Sequence, residues 1–363
     1  MSYARARLMV GITGVGTWVV VAIAFLAAGG PDALPGADAT ASAQIAAVAT
    51  VIGAYILVSL PFDFLGGLIL PRRHGRACPE TDAFVVAWAR GVLVQAIAMG
   101  GAVLAVVAAG RGGGAGAAVG VIAALALAIG VARVPLARMV ADLPVEAPAA
   151  GRGALTVDAT DPGFTGGISG TGTRMLLPRA WGGALGPGLA VERARRQWAI
   201  GAPYVLGLVL AAAWTTAGAA LAFALPGAGV QSAGQVIAAG AWFTLWSFAG
   251  LLVLPSVSRP AVYAADSAAL QEHPAEEVAR TIRALDALQD DEPERPGGIE
   301  VIFHPIPSAG RRIRRLGQAA PGIRPWHVAR LALPMSWCLL GLMGRAVHCN
   351  AGRPELWVLL PSD

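Results

Sequence analysis

The sequence contains no lysine, so all 27 of its strongly basic residues are arginines. This absence excludes a Walker-type phosphate lysine. The glycine-rich run Gly166-Gly167-Ile168-Ser169-Gly170-Thr171-Gly172-Thr173-Arg174 therefore fails the P-loop pattern at its decisive residue. It is expected to form a flexible or strand-forming loop. Charge of either sign is sparse, at 13% of 363 residues, where a soluble domain carries about a quarter. Cysteine is sparser still: Cys78, Cys338 and Cys349 are too few and too scattered for a disulfide framework or a four-thiolate metal site. Inert thiols are expected.

What the chain has in excess is apolar surface, 56% of its residues. A membrane helix needs about 20 mostly apolar residues to cover a hydrocarbon core about 30 Å thick. Seven stretches come close to that requirement: Leu8 to Ala28, Gln44 to Leu70, Phe84 to Ala109, Ala117 to Val134, Ala199 to Leu225, Val236 to Leu254 and Val328 to Val347. Arg330, Pro334 and Arg345 interrupt the last. The expected fold is a polytopic α-helical membrane protein of about seven transmembrane helices with a small cytoplasmic α+β portion. Its divisions are a four-helix region (1–139), a cytoplasmic segment (140–198), a helix pair (199–254), a second cytoplasmic segment (255–326), and a last span with an outside tail (327–363).

The arginines lie between the apolar runs and act as topology signals. With Arg5 and Arg7 cytoplasmic, Arg72, Arg73, Arg76 and both long polar segments fall on the same side. The opposite connections (29–43, 110–116 and 226–235) hold only Asp32, Asp38 and Arg111 as charged residues. A bacterial inner-membrane protein is predicted, with its N-terminus cytoplasmic and its C-terminus outside. The net charge of +5 is spread too thinly for nucleic acid, and no aromatic platform accompanies it. Membrane lipid is the expected partner of the run Arg311, Arg312, Arg314 and Arg315, where anionic headgroups contribute about 1 kcal/mol per cation. Glycine pairs such as Gly11 with Gly16 and Gly201 with Gly207 are expected to let helices approach closely.

In the polar segments, Gly and β-branched residues over 150–183 suggest strands or loops, and Pro187 to Arg196 reads as the start of a helix. Val278, Ile282, Leu285 and Leu288 recur at helical spacing, so Ala275 to Gln289 is predicted to be an amphipathic helix packed on its neighbour. Residues 290–298 read as a linker.

The segment Ser258-Arg259-Pro260-Ala261-Val262-Tyr263-Ala264-Ala265-Asp266 resembles the Ser-Arg-x-x-Glu-Tyr-x-Ala-Asp segment of the M48 membrane metalloproteases, the HtpX and CAAX-protease group. His304-Pro305, followed by Arg311, Ile313 and Leu316, is similar to that family's His-Pro segment. Phe164-Thr165-Gly166-Gly167-Ile168 resembles its Ala-Phe-Ala-Thr-Gly strand. Val191-Glu192-Arg193-Ala194-Arg195 occupies the place of its His-Glu-x-x-His helix. The resemblance implies zinc ligands at positions that here read Val191, Arg195 and Val262. Valine has no lone pair, and guanidinium has no acceptor and stays protonated. No metal and no cofactor are therefore expected.

The resemblance implies a pseudoprotease that binds a peptide or membrane-protein client, with an extended peptide adding to the strand at Thr165, Gly166, Gly167 and Ile168. Its enzyme rival is a metallopeptidase with a rearranged site on Glu192, Asp266 and His304. Each of these three also has a structural reading: Glu192 as the helical partner of Arg195 or Arg196, Asp266 as a positioning group, and His304 as a cap or packing residue. A third class, a transporter, would use the intramembrane charges Arg90 and Asp63.

Overall fold

A computed structural model describes residues 1–146, 154–289, 291–318 and 322–361. Helix α1 (Tyr3–Ala27) is capped by Ser2, whose hydroxyl accepts from the Arg5 amide. α2 (Ala41–Phe64) is capped likewise by Thr40 and runs through a π turn (Leu65–Ile69) into the short α3 (Leu70–Arg73). Next comes α4 (Thr81–Val131), 51 residues long. Among the described residues, five helical stretches are long and apolar enough to cross a membrane: Tyr3–Ala27, Ala41–Arg73, Thr81–Val131, Ala202–Phe223 and Ala233–Ala269.

The expected third and fourth spans are the two arms of α4. The break falls at Gly114, whose φ of 70° and ψ of −164° only glycine adopts easily. Arg90 Nε donates to Met139 O at 3.0 Å across 49 residues of sequence. A straight helix would hold those residues about 74 Å apart at 1.5 Å per residue. The chain therefore doubles back at Gly114, and Arg90 also pairs with Asp142 at 2.9 Å.

After α5 (Arg133–Ala141) a four-stranded sheet forms from β1 (Val145–Glu146), β2 (Ala154–Val157), β3 (Gly167–Ile168) and β4 (Met175–Pro178). Its order is β1-β2-β4-β3; β2 and β4 run parallel and both edge strands antiparallel. Strands thus occupy the segment where they were expected, of which 150–153 lie outside the described residues, as does Asp290 of the expected linker. The short α6 (Trp181–Ala184) leads to α7 (Gly188–Ala199) and α8 (Ala202–Phe223).

α9 (Ala233–Ala269) is continuous through Pro255 and Pro260, so no break separates the sixth span from the segment expected to start at 255. At 37 residues it is about 56 Å long, far more than the bilayer core needs. Its C-terminal third projects beyond the spanning part. α10 (Ala275–Gln289) buries Val278, Ile282 and Leu285 on one face, as the periodicity predicted, and α11 (Gly297–Phe303) and α12 (Ala309–Arg314) follow.

The expected seventh span is not a spanning helix. α13 covers only Val328–Met335 and gives way to 3-10 turns at Ser336–Leu339 and Leu342–Arg345. Nearly every residue from 326 to 361 is buried among the other helices. Its apolar character reflects burial in protein instead of lipid. Arg345, at the residue that interrupted the run, is fully buried and donates to Asp63 Oδ2 at 2.6 Å and Gln95 Oε1 at 3.1 Å. The expected outside tail is corrected as well. Arg7 Nε donates to His348 O at 3.2 Å and Arg353 pairs with Asp161, so this tail lies at the end of the bundle where α1 starts and the sheet sits.

The glycines serve this buried segment. A methyl group on Gly11 would meet the His348 backbone at 2.6 Å, one on Gly67 the Gly352 carbonyl, and one on Gly207 the Trp326 carbonyl, whereas Gly16 faces open space. The expected helix-to-helix role of Gly11 and Gly207 is thus replaced by contact with the C-terminal segment. Gly11→Ala should lower stability by about 1–3 kcal/mol through overpacking against backbone, while Gly16→Ala should be neutral or stabilising by up to about 1 kcal/mol. Thermal unfolding of the two variants in detergent measures the difference.

Candidate functional site

The projecting end of α9 packs against α7, and the motif residues meet there. On α7, Glu192 stands three and four residues before Arg195 and Arg196, the spacing at which helical side chains touch. It accepts from Arg195 Nη1 and, at 2.6 Å, from Arg196 Nε. Arg195 reaches across to α9 and donates Nε to Asp266 Oδ1 at 2.8 Å. Arg312, from α12, grips the same carboxylate with two bonds of 3.0 and 2.8 Å, the fork geometry in which guanidinium binds carboxylate most strongly.

All five side chains are almost completely buried, none more than 3% exposed. Three cations against two anions leave the cluster with an excess positive charge. Arg196 offsets this by donating to the Leu176 carbonyl at 2.7 Å and the Thr165 carbonyl at 2.5 Å, and by lying 5.0 Å over the Trp181 ring. It thereby ties α7 to the sheet. Burial acts to raise the Glu192 carboxyl, yet Arg195 and Arg196 overcome it and hold the group below the usual carboxylate range. A general base works best with a pKa near the operating pH, and Glu192 is pushed away from it.

The other two motifs are joined by Arg259. It donates to the carbonyls of Glu300, Val301 and His304 at the end of α11, where the helix leaves acceptors unsatisfied. Ser258 accepts from the Ala329 amide at 3.1 Å and so ties α9 to α13. The Ser-Arg pair and the His-Pro segment, some forty residues apart in sequence, are neighbours for this reason.

Val191 is fully buried in an apolar cluster with Ala269, Val278, Ile282 and Ala309. Val262 is also fully buried, one helical turn before Asp266 on α9. His304 stays outside the ion cluster: its ring lies 4.8 Å from that of His348, and it shares a small cavity with Arg312. Of the set proposed for a rearranged site, Glu192 and Asp266 are bridged by Arg195 and His304 is apart. Among the described residues no three His, Cys, Asp or Glu side chains gather as a metal site. The carboxylates beside the implied ligand positions are already taken by guanidinium groups, so this donor set does not fit zinc.

Thr165, Gly166, Gly167 and Ile168 are all buried, although β3 is an edge strand. Arg196 donates to the Thr165 carbonyl, just before this edge strand. Asp63 is 1% exposed and held by Arg345, by Trp88 Nε1 at 2.9 Å and by the Gly352 amide at 3.0 Å. With Arg90 paired to Asp142 near the sheet end, both charges suggested for transport are fixed in place. Reading the sequence missed Arg196, Arg259 and Arg345 as organising groups. It placed Arg312 in a lipid-facing run, where Arg314 does pair with Glu294 at the surface but Arg312 is 3% exposed.

No protein-family model and no curated protein matches this sequence. The structure does find a neighbour: the crystal structure of S. mikatae Ste24p matches with a TM-score of 0.62 over 77% of this chain and 76% of that one, at 11% identity. The fold is that of Ste24p. Ste24p is an M48-family metalloprotease, so the neighbour agrees with the motif resemblance. At such identity the Ste24p-like architecture is shared, and the chemistry is decided by the residues present.

Removing one partner from a buried ionic cluster leaves its counterpart unpaired and costs about 3–5 kcal/mol. Asp266→Ala should lose about that much stability, and Arg195→Met combined with Asp266→Leu should lose less than the sum of the single changes. A double-mutant cycle by thermal unfolding tests both statements.

Proposed function

We propose that this protein is a non-catalytic Ste24p-like membrane protein that binds a partner instead of cleaving one. The observation that carries this reading is the Arg195 guanidinium, which bridges Glu192 and Asp266 at the position that the family resemblance gives to a zinc-ligating histidine. A permanent cation there repels a divalent metal, and the two buried valines at the remaining ligand positions offer no electron pair. Glu192, the counterpart of the family's general base, is held as an anion by two arginines, each bonded to one of its carboxylate oxygens.

The partner is best accommodated in the groove of about 640 Å³ at the sheet end, lined by residues including Tyr3, Arg76, Phe84, Pro144, Asp161 and Glu355. It mixes apolar and charged groups, as a peptide or the polar loop of a membrane protein requires. The buried β3 edge favours this groove over strand addition.

Metal analysis of purified protein tests the reading. The wild type should carry no stoichiometric zinc and cleave no peptide, whereas Val191→His, Arg195→His and Val262→Glu together should restore zinc binding. Stoichiometric zinc in the wild type that is lost on Glu192→Ala would overturn it.

The arginine distribution supports a cytoplasmic sheet end in a bacterial inner-membrane protein. Cys78, the one part-exposed thiol, lies in the loop at that end, while Cys338 and Cys349 are buried. A membrane-impermeant maleimide should therefore label Cys78 in inverted vesicles and leave it unlabelled in intact spheroplasts. The opposite pattern reverses the orientation.

A further inference from the structure

Between α1 and α9 lies an apolar cavity of about 270 Å³, with Leu8, Val15, Leu251, Pro255, Phe303 and Leu333 among its walls. Two further wall residues, Ile12 and Leu252, are 37% and 40% exposed, so the cavity opens on the apolar, outward face of the bundle. Its other end is not apolar. Arg330, His348 and Cys349 line it there, and the same three residues line an adjoining polar cavity of about 40 Å³ that also receives Arg7, Arg312 and Arg353.

Arg330 is the unexplained charge of this arrangement. It is 7% exposed, its Nη1 donates to the Cys349 sulfur at 3.2 Å, and its Nε has no hydrogen-bond partner among the described residues. No carboxylate pairs with it among those residues, whereas neighbouring Arg312 and Arg353 have Asp266 and Asp161. A buried cation without a counter-ion is costly, which points to an anion supplied from outside the chain.

The height of the site says which anion. His348 is bonded to Arg7 and packs on Gly11, so the Arg330 end lies level with the first turns of α1, where a leaflet carries its headgroups. An apolar slot that opens sideways and ends at a guanidinium at headgroup depth matches the two halves of one molecule. We propose that this paired cavity binds an anionic phospholipid of the adjacent leaflet, with an acyl chain between α1 and α9 and the phosphate on Arg330. This inference does not depend on whether the protein cleaves anything.

Native mass spectrometry of the full chain released from nanodiscs of mixed phosphatidylglycerol and phosphatidylcholine tests it. The wild type should retain phosphatidylglycerol at least tenfold over phosphatidylcholine, and Arg330→Gln should remove that preference. Leu252→Trp, at the exposed mouth, should reduce retention while leaving folding intact, and it keeps the test valid should Arg330→Gln fail to fold. Thermal unfolding in detergent supplies a second arm: added phosphatidylglycerol should raise the midpoint and inorganic phosphate should not. Equal retention of both lipids, retention unchanged by either substitution, or an equal shift from phosphate alone would overturn the proposal.

Discussion

The bond from Arg195 to Asp266 holds together the part of this molecule built around α7, α9 and the sheet. It joins α7 to α9, and it brings in a third element, α12, through Arg312. Glu192 and Arg196 extend the same cluster to the sheet. In a zinc enzyme a metal ion would link helices at such a place; here fixed guanidinium groups supply the linking charge from within the chain. Both carboxylates of the cluster accept from guanidinium groups, Glu192 from Arg195 and Arg196 and Asp266 from Arg195 and Arg312.

The second organising feature is the buried C-terminal segment. Residues 326–361 run through the middle of the helices, touching α1 at Gly11, the π turn of α2 at Gly67, α8 at Gly207 and α4 through Trp357 against Gly91. Gly11, Gly67 and Gly207 admit backbone of the segment close to a helix and Gly91 admits the Trp357 ring, so the segment is wedged. Arg345 fixes it electrostatically, with Asp63 and Gln95 as partners and the Tyr55 and Trp357 rings on either side at 4.9 Å. The interior of the bundle is therefore filled by protein that is itself irregular.

Much of this was legible in the sequence. Apolar length gave the helices α1, α2, α8 and α9 and both arms of α4. The periodicity of Val278, Ile282 and Leu285 gave α10, and flanking positions of four weak motifs gave the M48-like resemblance. The failures share a cause. Hydropathy reports that a segment avoids water and does not say whether lipid or protein surrounds it, so 328–347 looked like a span. Arg330, Pro334 and Arg345 were the available signal, because charge and proline are tolerated where partners exist and not where lipid does. Arg312 was misplaced for the converse reason: a basic run has no marker for the one member whose carboxylate comes from 46 residues upstream. The buried state of Thr165 to Ile168 depended on Arg196, whose reach into the sheet no local pattern discloses.

The position of the wedge has a consequence for biogenesis. Residues 326–361 follow every spanning helix in the chain, so those helices enter the bilayer before the segment that fills them exists. Until then Asp63 and Gln95 lack the partner that Arg345 supplies in the finished fold. The groups that seat Arg345 are thus synthesised well before it, and the stretch that carries it is divided into short helical turns.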